Sequence, residues 1–161
     1  MNTDGSDIGA VRLEAVRAML SQAMPFTRTI GLQYVDIARD RAVLRLPDRA
    51  DLHNHVAGPH GGVAFTLADS AAGALTLAGF SDLLDRYTPF LAQATIRYCA
   101  VAMGDLTAEA RTVQDNGVVR RNLEARGKAR FDVEVQIRDS SGALTVEMTA
   151  NVALTGKETR P

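Results

Sequence analysis

The chain has 161 residues and a mass of 17.3 kDa, a size that suits one domain and leaves little room for two. With 18 Lys and Arg against 19 Asp and Glu, the net charge is −1, so no basic excess exists to neutralise a nucleic-acid backbone. One cysteine, Cys99, excludes an internal disulfide and a thiolate zinc site, and the polar start MNTDGSD lacks the features of a secretory signal, which makes a reducing cytoplasm the expected compartment.

In chain order, Asp7 is placed to cap a helix reaching about residue 23, with Ile8, Val11, Ala15, Met19 and Leu20 on one stripe. Pro25 ends it. Residues 26–31 lead into a strand at about 32–37, a turn at Arg39-Asp40 and a second strand at 41–46, a hairpin. A loop at 47–59 then delivers the chain to a long helix from about Gly61 to Ala78. Residues 61–80 hold a single charge, so a membrane span has to be weighed. Their strongly apolar members are only Val63, Phe65, Leu67, Leu75, Leu77 and Phe80, too few to cross a bilayer. Small residues all round suit a helix approached closely by protein, a buried central helix.

The rest of the chain reads mostly as strands. Ala94, Ile96 and Tyr98 alternate with Thr95, Arg97 and Cys99; Leu106, Ala108 and Ala110 with Thr107, Glu109 and Arg111; Phe131, Val133, Val135 and Ile137 with Asp132, Glu134, Gln136 and Arg138. Leu144, Val146, Met148, Ala150, Val152 and Leu154 continue the pattern, after a turn at Ser140-Ser141-Gly142. Asn116-Gly117 looks like a further turn, but 118–126 has helical spacing at Val119, Leu123 and Arg126 and reads as a short surface helix. The sum is an α+β chain, a curved antiparallel sheet around one long helix with an N-terminal helix, in a single domain over 1–161 with its core at about 26–155.

Two features of residues 54–69 carry chemistry. Gly61-Gly62 opens the long helix, presenting backbone N–H groups where no side chain blocks approach, a position that favours a developing oxyanion. Asp69 is the sole charge on that helix. Burial of a carboxylate raises its pKa towards the range of a general base and demands a hydrogen bond, protonation or a cleft. The structural alternative is an Asp satisfied by Thr66, Ser70 or a backbone group. Gly61 and Asp69 are eight residues apart, about 12 Å along a helix. Two such helices antiparallel about a two-fold axis bring each Gly61 near the other chain's Asp69, which predicts composite sites in at least a dimer.

The run N-x-x-x-G-x-H-G-G-x-x-x-x-L-x-D, here Asn54, Gly58, His60, Gly61, Gly62, Leu67 and Asp69, resembles the signature of hotdog-fold acyl-CoA thioesterases, the phenylacetyl-CoA thioesterase-like branch. The resemblance spans about 26–155 and implies a hotdog fold and acyl-CoA substrates. It implies no metal or cofactor, and a dimer or dimer of dimers. It makes Asp69 the general base or nucleophile and Gly61 the oxyanion donor. His60 orients the turn, Asn54 positions water or carbonyl, and Gly62 contributes to substrate binding. Many relatives place a Ser or Thr early on the strand after the helix, where it helps to hold the water. That position falls on Leu91 here, with Thr88 as the substitute and substrate-binding candidate. The 118–126 segment looks like an insertion found in a less characterised sub-branch.

Other readings stand beside these. His53, His55 and His60 are close in sequence but match no ligand pattern, so no metal site is expected. No G-x-S-x-G elbow exists around Ser70. Cys99 is expected to be an inert buried thiol, and Arg120, Arg121, Arg126, Lys128 and Arg130 a solvated face, with coenzyme A phosphates as the alternative. A non-catalytic acyl-CoA binding module competes with hydrolysis; a hydratase ranks last.

Overall fold

The computed structural model describes residues 4–157, with side chains described from residue 14. Its elements are α1 (Asp4–Ala23), α2 (Pro25–Thr29), β1 (Gln33–Ile37), β2 (Arg41–Leu46), a 3-10 turn (Ala50–Leu52), α3 (Gly61–Gly79), β3 (Tyr87–Tyr98), β4 (Leu106–Thr112), α4 (Asn116–Arg126), β5 (Lys128–Arg138) and β6 (Leu144–Gly156). The six strands make one antiparallel sheet in the order β1-β2-β4-β5-β6-β3. This is the expected α+β plan.

The period-two alternation decides which face is dry. Phe131, Val133, Val135 and Ile137 of β5 and Val146, Met148, Ala150, Val152 and Leu154 of β6 are buried, while Glu134, Gln136 and Thr149 look outward. α3 lies across the dry face. Leu67 and Leu75 are fully buried, each contributing roughly 1.5–3 kcal/mol. Ala64, Ala68, Ala71, Ala72, Ala74 and Ala78 keep the helix surface low enough for the sheet to close on it. α3 is the one helix among the described residues long and apolar enough to cross a membrane, and half of it is buried against the protein.

β3 is an edge strand, which tolerates Pro89, and a bulge between Leu91 and Gln93 bends it. Its sides alternate: Pro89, Leu91, Ala94 and Ile96 are half-buried towards α3, whereas Thr88, Phe90 and Thr95 are exposed. Cys99, just past the strand end, is exposed rather than buried, because it continues the outward set of Thr95 and Arg97.

Three further expectations are corrected. α1 begins before Asp7, which lies inside the helix, and its described buried residues are Val16 and Leu20, while Ala15 and Met19 face outward. Positions 16 and 20 share a face that the 15/19 pair does not; the side chains of Ile8 and Val11 lie outside the described residues. Asn116-Gly117 is no hairpin turn but the first turn of α4, capped by the Asp115 carboxylate, which accepts from Gly117 N at 2.9 Å and Val118 N at 3.3 Å. Arg120 is not a solvated cation. It forks onto Asp82 at 2.7 and 2.8 Å, donates to the Gly79 carbonyl at 2.7 Å and covers the Phe80 ring, fixing α4 to the end of α3.

Candidate active site

The approach to α3 is built by Asn54. Its Oδ1 accepts from Val56 N (2.9 Å) and Gly58 N (3.3 Å), and its Nδ2 donates to the Pro59 carbonyl at 3.3 Å. The amide is thus turned into its own loop, so Asn54 shapes the approach to the helix rather than facing the cavity described below. Gly58 lets that loop pass the backbone at Ala102, where an added Cβ would lie 2.5 Å from the carbonyl oxygen. His60 is the N-cap, and its Nδ1 accepts from Gly62 N at 2.9 Å.

The N–H groups of the first turn can be accounted for one by one. Val63 and Ala64 both donate to the His60 carbonyl, at 2.9 and 3.1 Å, and Gly62 is taken by the His60 ring. Of these first-turn donors only the Gly61 N–H has no acceptor among the described residues. The Tyr98 hydroxyl, from the far end of β3, donates to the Gly61 carbonyl at 2.9 Å and lays its ring beside the glycine. Nothing in the sequence signals this pairing across 37 positions.

Two turns on, Asp69 is half-buried with no hydrogen-bond or ion-pair partner among the described residues. Thr66 does not satisfy it, because its hydroxyl donates to the Gly62 carbonyl at 2.9 Å. Burial pushes the Asp69 carboxyl above its ordinary value. The residue looks into a cavity of about 170 Å³ lined by Ala72, Gly73, Thr76, Leu77, Pro89, Phe90, Leu91 and Val152.

Asn54, His60, Gly61 and Gly62 are thus gathered at one end of α3, while Asp69 lines a cavity that none of them reaches in the same chain. Leu91 lines that cavity; Thr88, three residues before it, is exposed and is not part of the lining in the same chain. His53 pairs with Asp48 at 2.7 Å and His55 is exposed, so the histidines are spread over separate tasks. Arg126, Lys128 and Arg130 line a cleft of about 460 Å³ on the outer face, and none has an acidic partner among the described residues. Phe90 borders both this cleft and the Asp69 cavity.

The model of the family described as "domain of unknown function", DUF4442, matches residues 12–154. The chain belongs to the DUF4442 family. Among solved structures, this DUF4442 protein is similar to PA5026 of Pseudomonas aeruginosa, a protein of unknown function described as a probable thioesterase. Identity is 29% with a TM-score of 0.79, over 89% of this chain and 95% of that one. AziG of S. sahachiroi is 27% identical at a TM-score of 0.68, over 83% and 98%. PaaI of E. coli, from a phenylacetic acid degradation operon, is 15% identical at 0.69, over 88% and 91%, and shows a shared fold alone. That fold is the hotdog fold, as the motif led one to expect. No curated protein matches the chain.

Proposed function

We propose that this DUF4442 protein hydrolyses acyl-CoA thioesters at sites shared between two copies of the chain. The observation that carries the reading is Asp69, an unpaired carboxylate kept at an apolar cavity with its pKa raised by burial. A structural role alone leaves that cost without compensation. The fold shared with PA5026 supports the same reaction class. Asp69 takes a proton from the water that attacks the thioester carbon, or attacks the carbon itself. The Gly61 N–H stabilises the oxyanion that forms, and the C–S bond breaks to release the thiol. Either route consumes one water and yields a carboxylic acid and coenzyme A. His60 and Asn54 act as positioning residues, through the turn they hold. The unpaired cations at 126, 128 and 130 suit the phosphates of the leaving group.

The β3 edge supports the shared site. Tyr98 marks Gly61 and Phe90 marks the Asp69 cavity, four residues either side of Ala94. Two β3 edges paired antiparallel about an axis near Ala94 set one copy's Tyr98 beside the other's Phe90, and so bring Gly61 of one to Asp69 of the other.

The test is thiol release from short, medium, long and aryl acyl-CoA thioesters by the wild type and Asp69→Asn. A loss of roughly two or more orders of magnitude in a folded variant is expected. Leu91, where relatives hold a hydroxyl, favours a second reading, a non-catalytic acyl-CoA binding module. Saturable binding without thiol release from any thioester would establish it in place of hydrolysis.

A further inference from the structure

Building on the acyl-thioester reading, we infer that Gly73 admits the acyl group past Asp69 and that its missing side chain sets the size of acyl group the site accepts. Gly73 stands one helical turn beyond Asp69, so the two share a face of α3 and line the same cavity. A glycine inside a helix is unfavourable relative to alanine and calls for a reason. The other glycines of α3 have one in close packing. A Cβ on Gly61 would meet the Tyr98 ring at 3.4 Å, one on Gly62 the His60 ring at 3.1 Å, and one on Gly79 the Arg39 carbonyl at 3.0 Å. At Gly73 an added Cβ meets nothing within 4 Å. Gly73 is exposed, and the space in front of it is open on the side where it lines the cavity.

The walls identify the chemistry of what fills that space. Leu77, Pro89, Leu91 and Val152 are apolar, and the Thr76 hydroxyl is already bonded to the Ala72 carbonyl at 2.8 Å. Among the described residues no cation lines the cavity to receive a terminal carboxylate, so an uncharged apolar acyl group fits and a dicarboxylic one does not. The volume is about 170 Å³, and a protein cavity of about 150 Å³ is known to hold benzene. An acyl group with the bulk of one aromatic ring or about six carbons therefore fills it, with Gly73 as the wall that keeps the passage open.

The experiment compares wild type, Gly73→Ala and Gly73→Leu on acyl-CoA thioesters from acetyl to decanoyl and on an aryl-acyl-CoA, with native mass measured for each protein. Both substitutions raise helix propensity, so the fold is not at risk. The expected result in Gly73→Leu is a fall of roughly ten-fold or more in the ratio of kcat/KM for hexanoyl or aryl substrates to that for acetyl, with Gly73→Ala between. An unchanged length profile, an equal loss at every length, or dissociation of the oligomer in Gly73→Leu overturns the inference, the last because Gly73 would then face a second copy. A wild type that releases no thiol overturns the hydrolase reading instead. Acyl-CoA affinities over the same series then report on Gly73, and a flat series in all three proteins overturns its role.

Discussion

The Nδ1 atom of His60 accepts the Gly62 N–H at 2.9 Å, so the side chain that caps α3 also silences one of the two glycine donors at its start. Together with the His60 carbonyl, which takes Val63 and Ala64, this leaves the Gly61 N–H as the first-turn donor without an acceptor among the described residues. Replacing His60 by Ala is expected to cost about 1 kcal/mol of stability, the usual value of an N-cap. His60→Ser, another capping side chain, should recover most of that loss. Urea denaturation of both variants checks it; a serine variant no more stable than alanine would show that the ring does something other than cap.

Asp69 makes a stability prediction as well as a kinetic one. Burial raises its pKa, so the folded chain favours the neutral carboxyl. The stability tied to that proton is fully present below the ordinary value of 3.8 and is lost as pH rises through the raised folded value. Asp69→Asn, neutral at every pH, should melt on the order of 1–3 °C higher than wild type at pH 7, with the gain vanishing below pH 3.8. A variant that melts lower at pH 7 would mean the carboxylate has a partner.

The same shift fixes the acid limb of the rate profile. A base must be ionised to act, so kcat/KM should fall through a midpoint above 3.8 as pH decreases. A midpoint at or below that value, measured with a thioester whose own hydrolysis is flat over the range, would argue against Asp69 as the base.

A shared site can be tested by mixing two inactive proteins. Gly61→Pro removes the N–H while keeping the helix, because proline is favoured at the first helical position and His60 already has the extended backbone, ψ 139°, that a following proline requires. Each variant alone should be inactive. After joint refolding with Asp69→Asn, half of the dimers are mixed and each has one intact site, so about a quarter of wild-type activity should return. No recovery from dimers shown to be mixed would place the whole site in one chain.

Gly58→Ala tests the loop that carries the turn. Its Cβ would stand 2.5 Å from the Ala102 carbonyl, so backbone has to move, and a loss of about 1–3 kcal/mol is expected by denaturation. Activity should fall with it, because His60 and Gly61 follow within three residues. Stability within error of wild type would show that the close approach to Ala102 can relax.

Arg120 and Asp82 should show coupling in a double-mutant cycle of about 1–2 kcal/mol at pH 7, more than an exposed pair, because the fork is bidentate and both side chains are partly buried. The Arg120 guanidinium holds the Asp82 carboxyl below its ordinary 3.8. The coupling is therefore present above that value and is lost as pH falls through the lower folded one. Coupling indistinguishable from zero at pH 7 would show that α4 is held by the burial of Val119 and Leu123 and by its other hydrogen bonds rather than by this pair.

Alternation by itself marked the dry face of most of the sheet strands, because a period of two states directly which side is buried. A run of small and apolar residues marked the central helix. The first half of β3, from Tyr87, lies outside the alternation that begins at Ala94. Residue pattern also isolated Asp69 and the Gly61-Gly62 helix start, since a lone charge and a glycine pair on an apolar helix are visible without coordinates. What residue spacing does not encode is which side chains meet across the fold. Only the tertiary structure decided that Thr66 leaves Asp69 unpaired and that Asn54 turns back into its own loop. It also decided that Leu91 lines the cavity and Thr88 does not, and that Gly73 opens onto open space where the other α3 glycines are packed. The first is a choice of acceptor inside the helix, the carbonyl four residues back, that residue type alone does not fix. The others depend on how the sheet sets distant strands against α3 or on how a short loop folds back on itself, and no local pattern records either.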